Sequence, residues 1–130
     1  FYQTMLETLE PKNKAKLFMA YKNNEPVAGI IITLIGNTST YYYGASSYQH
    51  RKFMAPYLLQ WHAIKYAKTH NFKIYDFLGI ANSKDKKDPL TGVSRFKKKF
   101  GGEVIIFESA KVKVHKPLTY LLLKIRRLFK

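Results

Sequence analysis

The sequence predicts a single domain of the α/β (α+β) class, in which a mixed, mostly antiparallel twisted sheet is flanked by helices. Two observations support this fold class. Three apolar, strand-like segments follow one another through short polar turns, which is typical of an antiparallel meander. A long segment with helical periodicity comes next and leads into another short strand, and a strand–helix–strand unit indicates one parallel pairing. The 130 residues are enough for one ordinary domain.

The meander comprises the segments 15–21, 26–35 and 40–44. All three are rich in apolar and aromatic residues. The polar residues 23–25 have the composition of a hairpin turn, and residues 36–38 form the second turn. Tyr41, Tyr42 and Tyr43 are predicted to alternate between the two faces of the third strand, so that one or two of them pack in the core.

The long helix is predicted over residues 53–70, where apolar side chains such as Leu58 and Trp61 recur at helical spacing. Pro56 falls in its first turn, where the missing N–H costs little, and Asn71 is a plausible stop. A short strand over residues 73–78 follows.

The remaining elements are shorter. They are a helix end over residues 1–10, a polar loop over 79–89, a basic helix over 91–99, two strands over 103–108 and 111–115 with a bend at 109–110, and a last helix from Pro117 onwards.

The charge is the most unusual feature of the composition, since 23 Lys and Arg stand against 8 Asp and Glu, giving +15. Such a surface favours polyanions, namely RNA, DNA, anionic lipid or phosphorylated substrates. Alternatively, lysines simply fill solvated positions along the chain. Cysteine is absent, which excludes disulfides and thiolate chemistry and fits a reducing, cytoplasmic compartment. No apolar run approaches the roughly 20 residues that a membrane span requires.

Three motifs follow one another between Tyr41 and Glu103. They are a Tyr-rich strand ending in Gly44-Ala45-Ser46-Ser47, a helix from Leu58-Leu59-Gln60-Trp61 through Ala67 to the strand Tyr75-Asp76-Phe77, and Arg95-Phe96-Lys97-Lys98 with Phe100-Gly101-Gly102-Glu103. In this order and spacing they resemble the second domain of the FemABX family of peptidoglycan bridge-forming aminoacyltransferases. The resemblance covers residues 14–109 well and the two ends more loosely.

The resemblance implies a GNAT-like (acyl-CoA N-acyltransferase) fold and an aminoacyltransferase function. Family members transfer an amino acid from aminoacyl-tRNA to the stem peptide of a peptidoglycan precursor, a muropeptide linked to UDP or to lipid. They contain two GNAT-like domains, of which this chain would be the second. The chain begins with Phe1 and shows no leader. We therefore expect a longer protein with an N-terminal GNAT-like domain, and an isolated chain that is inactive.

The turn before the long helix argues against acetyl-CoA binding. A GNAT enzyme that uses acetyl-CoA needs a Gly-rich turn there, whose backbone N–H groups approach the pyrophosphate. Residues 49–56 contain no glycine, Pro56 removes one donor, and Phe53 and Met54 are bulky. We therefore expect no cofactor. The alternative functions are a divergent acyl-CoA-dependent N-acetyltransferase and a basic RNA- or membrane-binding module without catalysis.

Lys97 is the candidate for the cationic role in catalysis. Transfer from an ester to an amine requires an oriented amine and a stabilised oxyanion. The match to the Phe-Lys pair of the family implies that Lys97 meets a phosphate or the developing oxyanion, while Phe96 stacks on the terminal adenine of tRNA. Alternatively, Phe96 and Phe100 both pack in the core and the lysines are solvated. Arg95, in the same motif, is a further candidate for substrate binding.

Three more residues are candidates for the site. Asp76, a carboxylate in an apolar strand, either accepts a proton or hydrogen-bonds a neighbouring loop. Tyr48 is placed to touch a ligand hydroxyl or phosphate, and Arg51, at the start of the long helix, to bind a diphosphate. The four histidines show no ligand spacing, so no metal site is predicted.

The last 14 residues, 117–130, form a basic amphipathic helix. Leucines and Ile125 occupy one face, and lysines and arginines flank it. Such a helix suits peripheral contact with an anionic membrane at the cytoplasmic side, where a lipid-linked substrate would lie. The alternative is a helix that docks on its own sheet or on the N-terminal domain, with its basic face solvated.

Overall fold

The computed structural model describes residues 1–81, 90–108, 111 and 113–128. The helices in this part of the chain are α1 (Tyr2–Leu9), α2 (Ala55–Thr69), α3 (Thr91–Lys98) and α4 (Pro117–Leu128), and the strands are β1 (Ala15–Lys22), β2 (Glu25–Ile35), β3 (Thr38–Ser46) and β4 (Ile74–Asp76). Short 3-10 turns follow α1 and precede α2. One compact unit spans Phe1–Phe100, and a second begins at Gly101.

The four strands form one sheet in the order β1-β2-β3-β4. β1, β2 and β3 are paired antiparallel, which confirms the predicted meander. Asn23 and Asn24 both have positive φ, at 50° and 66°, as a two-residue hairpin turn requires, and asparagine tolerates this conformation well. The predicted β–α–β unit is also confirmed, since β4 is parallel to β3.

β3 and β4 are paired over only three residues each. The register joins Thr38 to Ile74 and ends with Thr40 opposite Asp76. β3 nevertheless continues to Ser46, so its second half has no strand beside it on the β4 side among the described residues. The pairing therefore ends at Thr40, and beyond it β3 has an open edge on this side within the described residues.

α2 covers one face of the sheet and completes the core. Pro56 lies in its first turn and Asn71, just past its end, has φ 65°, as the sequence predicts for the two ends. The predicted buried face is partly wrong, because Leu58 and Trp61 are exposed. Small residues face the sheet instead and let the helix approach it closely. The core contains Val27, Ala28, Ile30, Ile32, Leu34, Ala55, Leu59 and Ala63.

A β-bulge interrupts the alternation predicted for the three tyrosines of β3. Tyr43 lies opposite Ile31 and Tyr41 opposite Ile32, so Tyr42 is the extra residue. Tyr41 packs against the core, as predicted for at least one of them. Tyr43, which strict alternation would place on the same face, is exposed and stacks on Tyr2 of α1 with ring centroids 4.1 Å apart.

The strand pair predicted over 103–108 and 111–115 is wrong for the residues that the structure describes. Residues 101–108, 111 and 113–115 have no strand assignment, and the side chains of Val104 to Phe107 are exposed. A strand needs a neighbouring ladder, and β4 offers an edge of only three residues. The bend at 109–110 and most of the polar loop over 79–89 lie outside the described residues.

No helix in the described part of the chain is both long enough and apolar enough to cross a membrane. The helix predicted from Pro117 is present as α4, which runs from Pro117 to Leu128.

Candidate active site

The side chain of Lys97 lies where the pairing of β3 and β4 ends. Its Nζ donates a hydrogen bond to the carbonyl oxygen of Gly79 at 2.8 Å. The same Nζ is 5.7 Å from the centroid of the Tyr41 ring. Tyr41 is the first residue of β3 beyond the paired segment, and Gly79 lies three residues beyond the end of β4. Lys97 therefore bridges the two strands at the open edge of the sheet.

Lys97 is a buried cation, since only 9% of it is exposed. Burial lowers the pKa of its ammonium group, and the charge of Asp76 offsets part of that effect. No carboxylate forms an ion pair with Lys97 among the described residues. Within the described residues its contacts are a carbonyl oxygen and an aromatic face, neither of which carries a negative charge. Such an ammonium keeps N–H donors for a ligand oxygen.

Asp76 shapes the loop that follows β4. The carboxylate is exposed, and its Oδ1 accepts a hydrogen bond from the N–H of Leu78 at 2.7 Å. Leu78 has φ 58°, a left-handed conformation that is costly for a bulky residue. The next residue is Gly79, whose carbonyl receives Lys97. The loop hydrogen bond, one of the two roles predicted for Asp76, is therefore present, whereas proton acceptance stays a prediction.

A second contact from α3 holds the same loop. Ser94 is buried, and its Oγ accepts a hydrogen bond from the N–H of Ala81 at 2.6 Å. The Ser94 hydroxyl in turn donates to the carbonyl of Leu90 at 2.7 Å. Because Ser94 and Lys97 are three residues apart, they project from one face of α3. α3 therefore holds the loop after β4 at two points, Gly79 and Ala81.

A layer of buried polar side chains lies behind the Tyr41 ring. Gln60 of α2 has no exposed surface, and its Oε1 accepts a hydrogen bond from the Tyr75 hydroxyl at 2.7 Å. Burial raises the pKa of Tyr41 and the Gln60 amide partly offsets that rise, while burial raises the pKa of Tyr75 strongly. Both phenols therefore stay neutral. Gln60 Nε2 and Ser39 Oγ are buried without a hydrogen-bond partner of good geometry among the described residues.

Phe96 belongs to an aromatic cluster that packs α3 against α2 and β4. Its ring is 4.8 Å from the ring of Tyr57 and 5.4 Å from that of Phe100. Phe100 also stacks on Phe77 at 5.3 Å. This is the core packing left open as the alternative for Phe96 and Phe100. Phe96 is still partly exposed, and its stacking on an adenine stays a prediction. The neighbouring Arg95 is exposed.

Tyr48 and Arg51 form a separate pair before α2. The Arg51 guanidinium donates a hydrogen bond to the Tyr48 hydroxyl at 2.7 Å and lies 4.5 Å from the centroid of its ring. Both side chains are exposed. Within the described residues, no hydrogen bond or ring contact joins this pair to Lys97. The structure thus brings Lys97 close to Asp76 and places Tyr48 with Arg51 in a second group.

The start of α2 offers few free backbone donors. Met54, just before the helix, has φ 51°. Pro56 has no N–H, and the N–H of Tyr57 already donates to the carbonyl of Met54 at 2.9 Å. A pyrophosphate approaching this turn would therefore find two fewer N–H groups than an unobstructed helix start provides.

Four residues at the site were missed by sequence reasoning, namely Tyr41 as a site residue, Gln60, Gly79 and Ser94. A glutamine inside the apolar register of α2 is the one signal that could have been used, since buried polar groups need partners. The other three depend on the bulge and on a loop that no local pattern fixes. Among the described residues, no three His, Asp or Glu side chains come together as metal ligands would.

Comparison with known proteins identifies the family to which the chain belongs. The model of the FemAB family matches residues 3–126. A lipid II:glycine glycyltransferase of Staphylococcus haemolyticus is 34% identical over 85 residues, covering 65% of this chain and 20% of the relative. One of Staphylococcus aureus is 33% identical over 96 residues, covering 74% of this chain and 21% of the relative. The chain thus spans about a fifth of the length of the curated relatives it matches.

Solved structures give the same family and the wider fold. The crystal structure of FemX superposes with a TM-score of 0.51 and 32% identity, covering 75% of this chain and 22% of that one. An aminoglycoside 6'-N-acetyltransferase of Acinetobacter haemolyticus superposes with a TM-score of 0.57 and 13% identity, covering 86% and 81%. This second likeness shows a GNAT-like fold and nothing further. Because the family model matches almost the whole chain, the chain belongs to the FemAB family.

Proposed function

We propose that this chain is the second GNAT-like domain of an aminoacyltransferase that extends the stem peptide of a peptidoglycan precursor. The observation that carries the proposal is Lys97, a buried ammonium without an ion pair among the described residues, at the open edge between β3 and β4. The names of the relatives, which are glycyltransferases of lipid II, supply the acceptor class. The donor we propose is an aminoacyl-tRNA.

The chemistry that we propose is an aminolysis of the aminoacyl ester. The acceptor amine attacks the ester carbonyl, the new C–N bond forms, and the C–O bond to the terminal ribose breaks. The amine proton passes to the departing hydroxyl. Negative charge collects on the carbonyl oxygen in between, and a preorganised cation in a site poor in water stabilises it well. Lys97 supplies that cation in our proposal, and Asp76 shapes the loop on which Lys97 rests.

The remaining predicted residues take binding roles in this proposal. The exposed pair of Tyr48 and Arg51 offers a hydroxyl and a guanidinium to a phosphate of either substrate. Phe96 keeps an exposed edge beside Lys97 for the terminal adenine, and Arg95 is exposed on the same helix for the RNA backbone. The precursor would be held jointly with an N-terminal GNAT-like domain.

We further propose that the protein works in the cytoplasm beside the inner face of the membrane. α4 exposes Leu118, Leu121 and Leu122, and it carries Lys124 and Arg126. An exposed apolar stripe flanked by cations supports peripheral contact with anionic lipid. Such contact would bring the enzyme close to a lipid-linked precursor.

A transfer assay with the full-length protein tests the proposal. It measures the movement of a labelled amino acid from charged tRNA to UDP-linked and lipid-linked muropeptides. Lys97→Met keeps the aliphatic stem and removes the charge, and we expect transfer to fall roughly 100- to 1000-fold. Lys98→Met is the matched control, since Lys98 is the exposed neighbour on α3, and it should transfer normally. Undiminished transfer by Lys97→Met, or transfer of acetyl groups from acetyl-CoA in place of amino acids, would overturn the proposal.

A further inference from the structure

The ring of Tyr41 lies within range of a cation–π interaction with Lys97. The Nζ of Lys97 is 5.7 Å from the ring centroid, and such contacts act within about 6 Å. Because burial keeps the Tyr41 phenol neutral, the contact is between a cation and a ring and is not an ion pair. The attraction is strongest where water is scarce, as it is around a lysine that is 9% exposed.

Two features of β3 fix where the ring lies. The bulge at Tyr42 breaks the strand's alternation, so that Tyr41 and Gly44 come together on one side. A Cβ added to Gly44 would lie 2.9 Å from Cζ of Tyr41 and closer still to its hydroxyl. Only glycine leaves room for the ring at this position. The Tyr41 ring is therefore pressed against the backbone of its own strand.

The far end of the ring also faces a buried polar side chain. The Tyr41 hydroxyl lies beside the amide of Gln60, which is fully buried and fixed by the hydroxyl of Tyr75 at 2.7 Å. The backbone at Gly44 lies against the hydroxyl end of the ring, which leaves Tyr41 little freedom to move on that side.

We infer that Tyr41 is a positioning residue, whose ring fixes the ammonium of Lys97 at the open edge of the sheet without neutralising it. A carboxylate in the same place would hold Lys97 as firmly but would cancel the charge that an oxyanion needs. The ring and the Gly79 carbonyl hold it and leave the charge available. This inference rests on the proposed function for the role of Lys97, whereas the contact itself does not depend on that role.

The test compares three substitutions in the full-length protein. Tyr41→Leu removes the ring, Tyr41→Phe keeps the ring and removes the hydroxyl, and Tyr42→Leu is the matched control on the exposed bulge. The readouts are the ionisation of Lys97, followed by NMR of its side-chain amine and assigned with Lys97→Met, and kcat and KM for transfer. Circular dichroism checks that each variant is folded.

We expect Tyr41→Leu to raise the acid dissociation constant of Lys97 roughly 3- to 30-fold, because the ammonium loses its aromatic partner. The value of kcat should fall by a similar factor, with KM almost unchanged. Tyr41→Phe should retain most of both properties, and Tyr42→Leu should match the wild type. Gly44→Ala, which displaces the ring without removing it, should act in the same direction as Tyr41→Leu and add nothing to it in the double variant.

The inference is overturned if Tyr41→Leu leaves the ionisation of Lys97 unchanged, or if Tyr41→Phe costs as much as Tyr41→Leu. Should Tyr41→Leu fail to fold, the effect of Gly44→Ala on the ionisation of Lys97 tests the inference instead. Different results would overturn the proposed function and the positioning role of Tyr41. If Lys97→Met transfers normally while Tyr41→Leu still alters the ionisation of Lys97, the proposed function is wrong and the positioning contact stands. If Lys97→Met abolishes transfer and no Tyr41 variant affects Lys97, the positioning inference alone is wrong.

Discussion

A buried lysine that has no ion pair within the described part of the chain lowers the stability of the fold, and the surroundings of Lys97 show how that cost is reduced. Burial penalises the ammonium, the Gly79 carbonyl accepts one of its hydrogens, and the exposed Asp76 adds a favourable charge from nearby. The Phe-Lys motif identifies Lys97 from the sequence. Its contacts with Tyr41 and Gly79 could not be predicted, because they depend on a bulge in β3 and a left-handed turn at Leu78.

The lowered pKa of Lys97 sets an expected pH dependence. Desolvation lowers the pKa of this group below its usual 10.5, so the ammonium should lose its proton at a lower pH than a solvated lysine. Loss of this proton should therefore make transfer fall on the alkaline side, below pH 10.5. Asp76→Asn removes the charge that raises the pKa, so the alkaline limb should move to lower pH.

The measurement is a pH–rate profile of kcat for wild type and Asp76→Asn. An alkaline limb that moves to higher pH in Asp76→Asn would contradict this assignment.

The lowered pKa of Lys97 also makes the stability of the fold depend on pH. Because folding lowers the pKa of a base, burial of Lys97 costs stability in full below the lowered pKa, and the cost fades as pH rises towards 10.5.

The helices and strands could be predicted from local sequence patterns more completely than the site could. Some signals act within a few residues, and the structure contains the features that they predict. They are the two asparagines of the first hairpin turn, the proline in the first turn of α2 and Asn71 after its end. The segment Val104 to Phe107 also has a strand pattern, yet it forms no strand. A strand forms only where a neighbouring strand offers a free edge, and a local sequence pattern does not show whether such an edge is available.

Ser94 tests whether α3 anchors the loop after β4. Ser94→Ala removes the acceptor of the Ala81 N–H. We expect the free energy of unfolding, measured with urea, to fall by about 1–2 kcal/mol. Val93→Ala, one residue away and exposed, should change stability by less than about 0.5 kcal/mol. Equal stabilities for the two variants would show that the loop is not anchored by this serine.

A double-mutant cycle tests the buried polar layer between α2 and the sheet. Tyr75→Phe leaves Gln60 Oε1 without its donor, and we expect a loss of about 1–3 kcal/mol in the free energy of unfolding. Gln60→Leu should cost a similar amount by leaving the Tyr75 hydroxyl unpaired. The double variant should be more stable than the sum of the two losses predicts.

Tyr21→Phe, at an exposed tyrosine of β1, controls for loss of a hydroxyl as such and should be neutral. Strict additivity of the two core substitutions would mean that Gln60 and Tyr75 do not interact as the structure indicates.

At the scale of the molecule, charge and family membership point in the same direction. A net charge of +15 is compatible with the proposed RNA and phosphorylated substrates, and the relatives that the chain resembles are glycyltransferases of lipid II. The chain spans about a fifth of those relatives, and it carries the Lys97 site within its first compact unit. We therefore expect the site to form in this chain alone and the precursor to need more of the protein.

This expectation separates folding from activity. The isolated 130-residue chain should fold cooperatively and show the lowered pKa of Lys97 by NMR, yet transfer no amino acid to a muropeptide. The full-length protein should do both. Transfer by the isolated chain at the rate of the full-length protein would mean that the precursor site is complete within it.

The central claim is that Lys97 stabilises charge that develops during transfer. The measurement that tests it most directly is the separate determination of kcat and KM for aminoacyl-tRNA in full-length wild type and Lys97→Met. A group that acts in the transition state changes kcat, whereas a group that only binds substrate changes KM. We predict a kcat lower by roughly 100- to 1000-fold at a KM close to that of the wild type. A raised KM with an unchanged kcat would contradict the claim and would make Lys97 a residue for binding RNA alone.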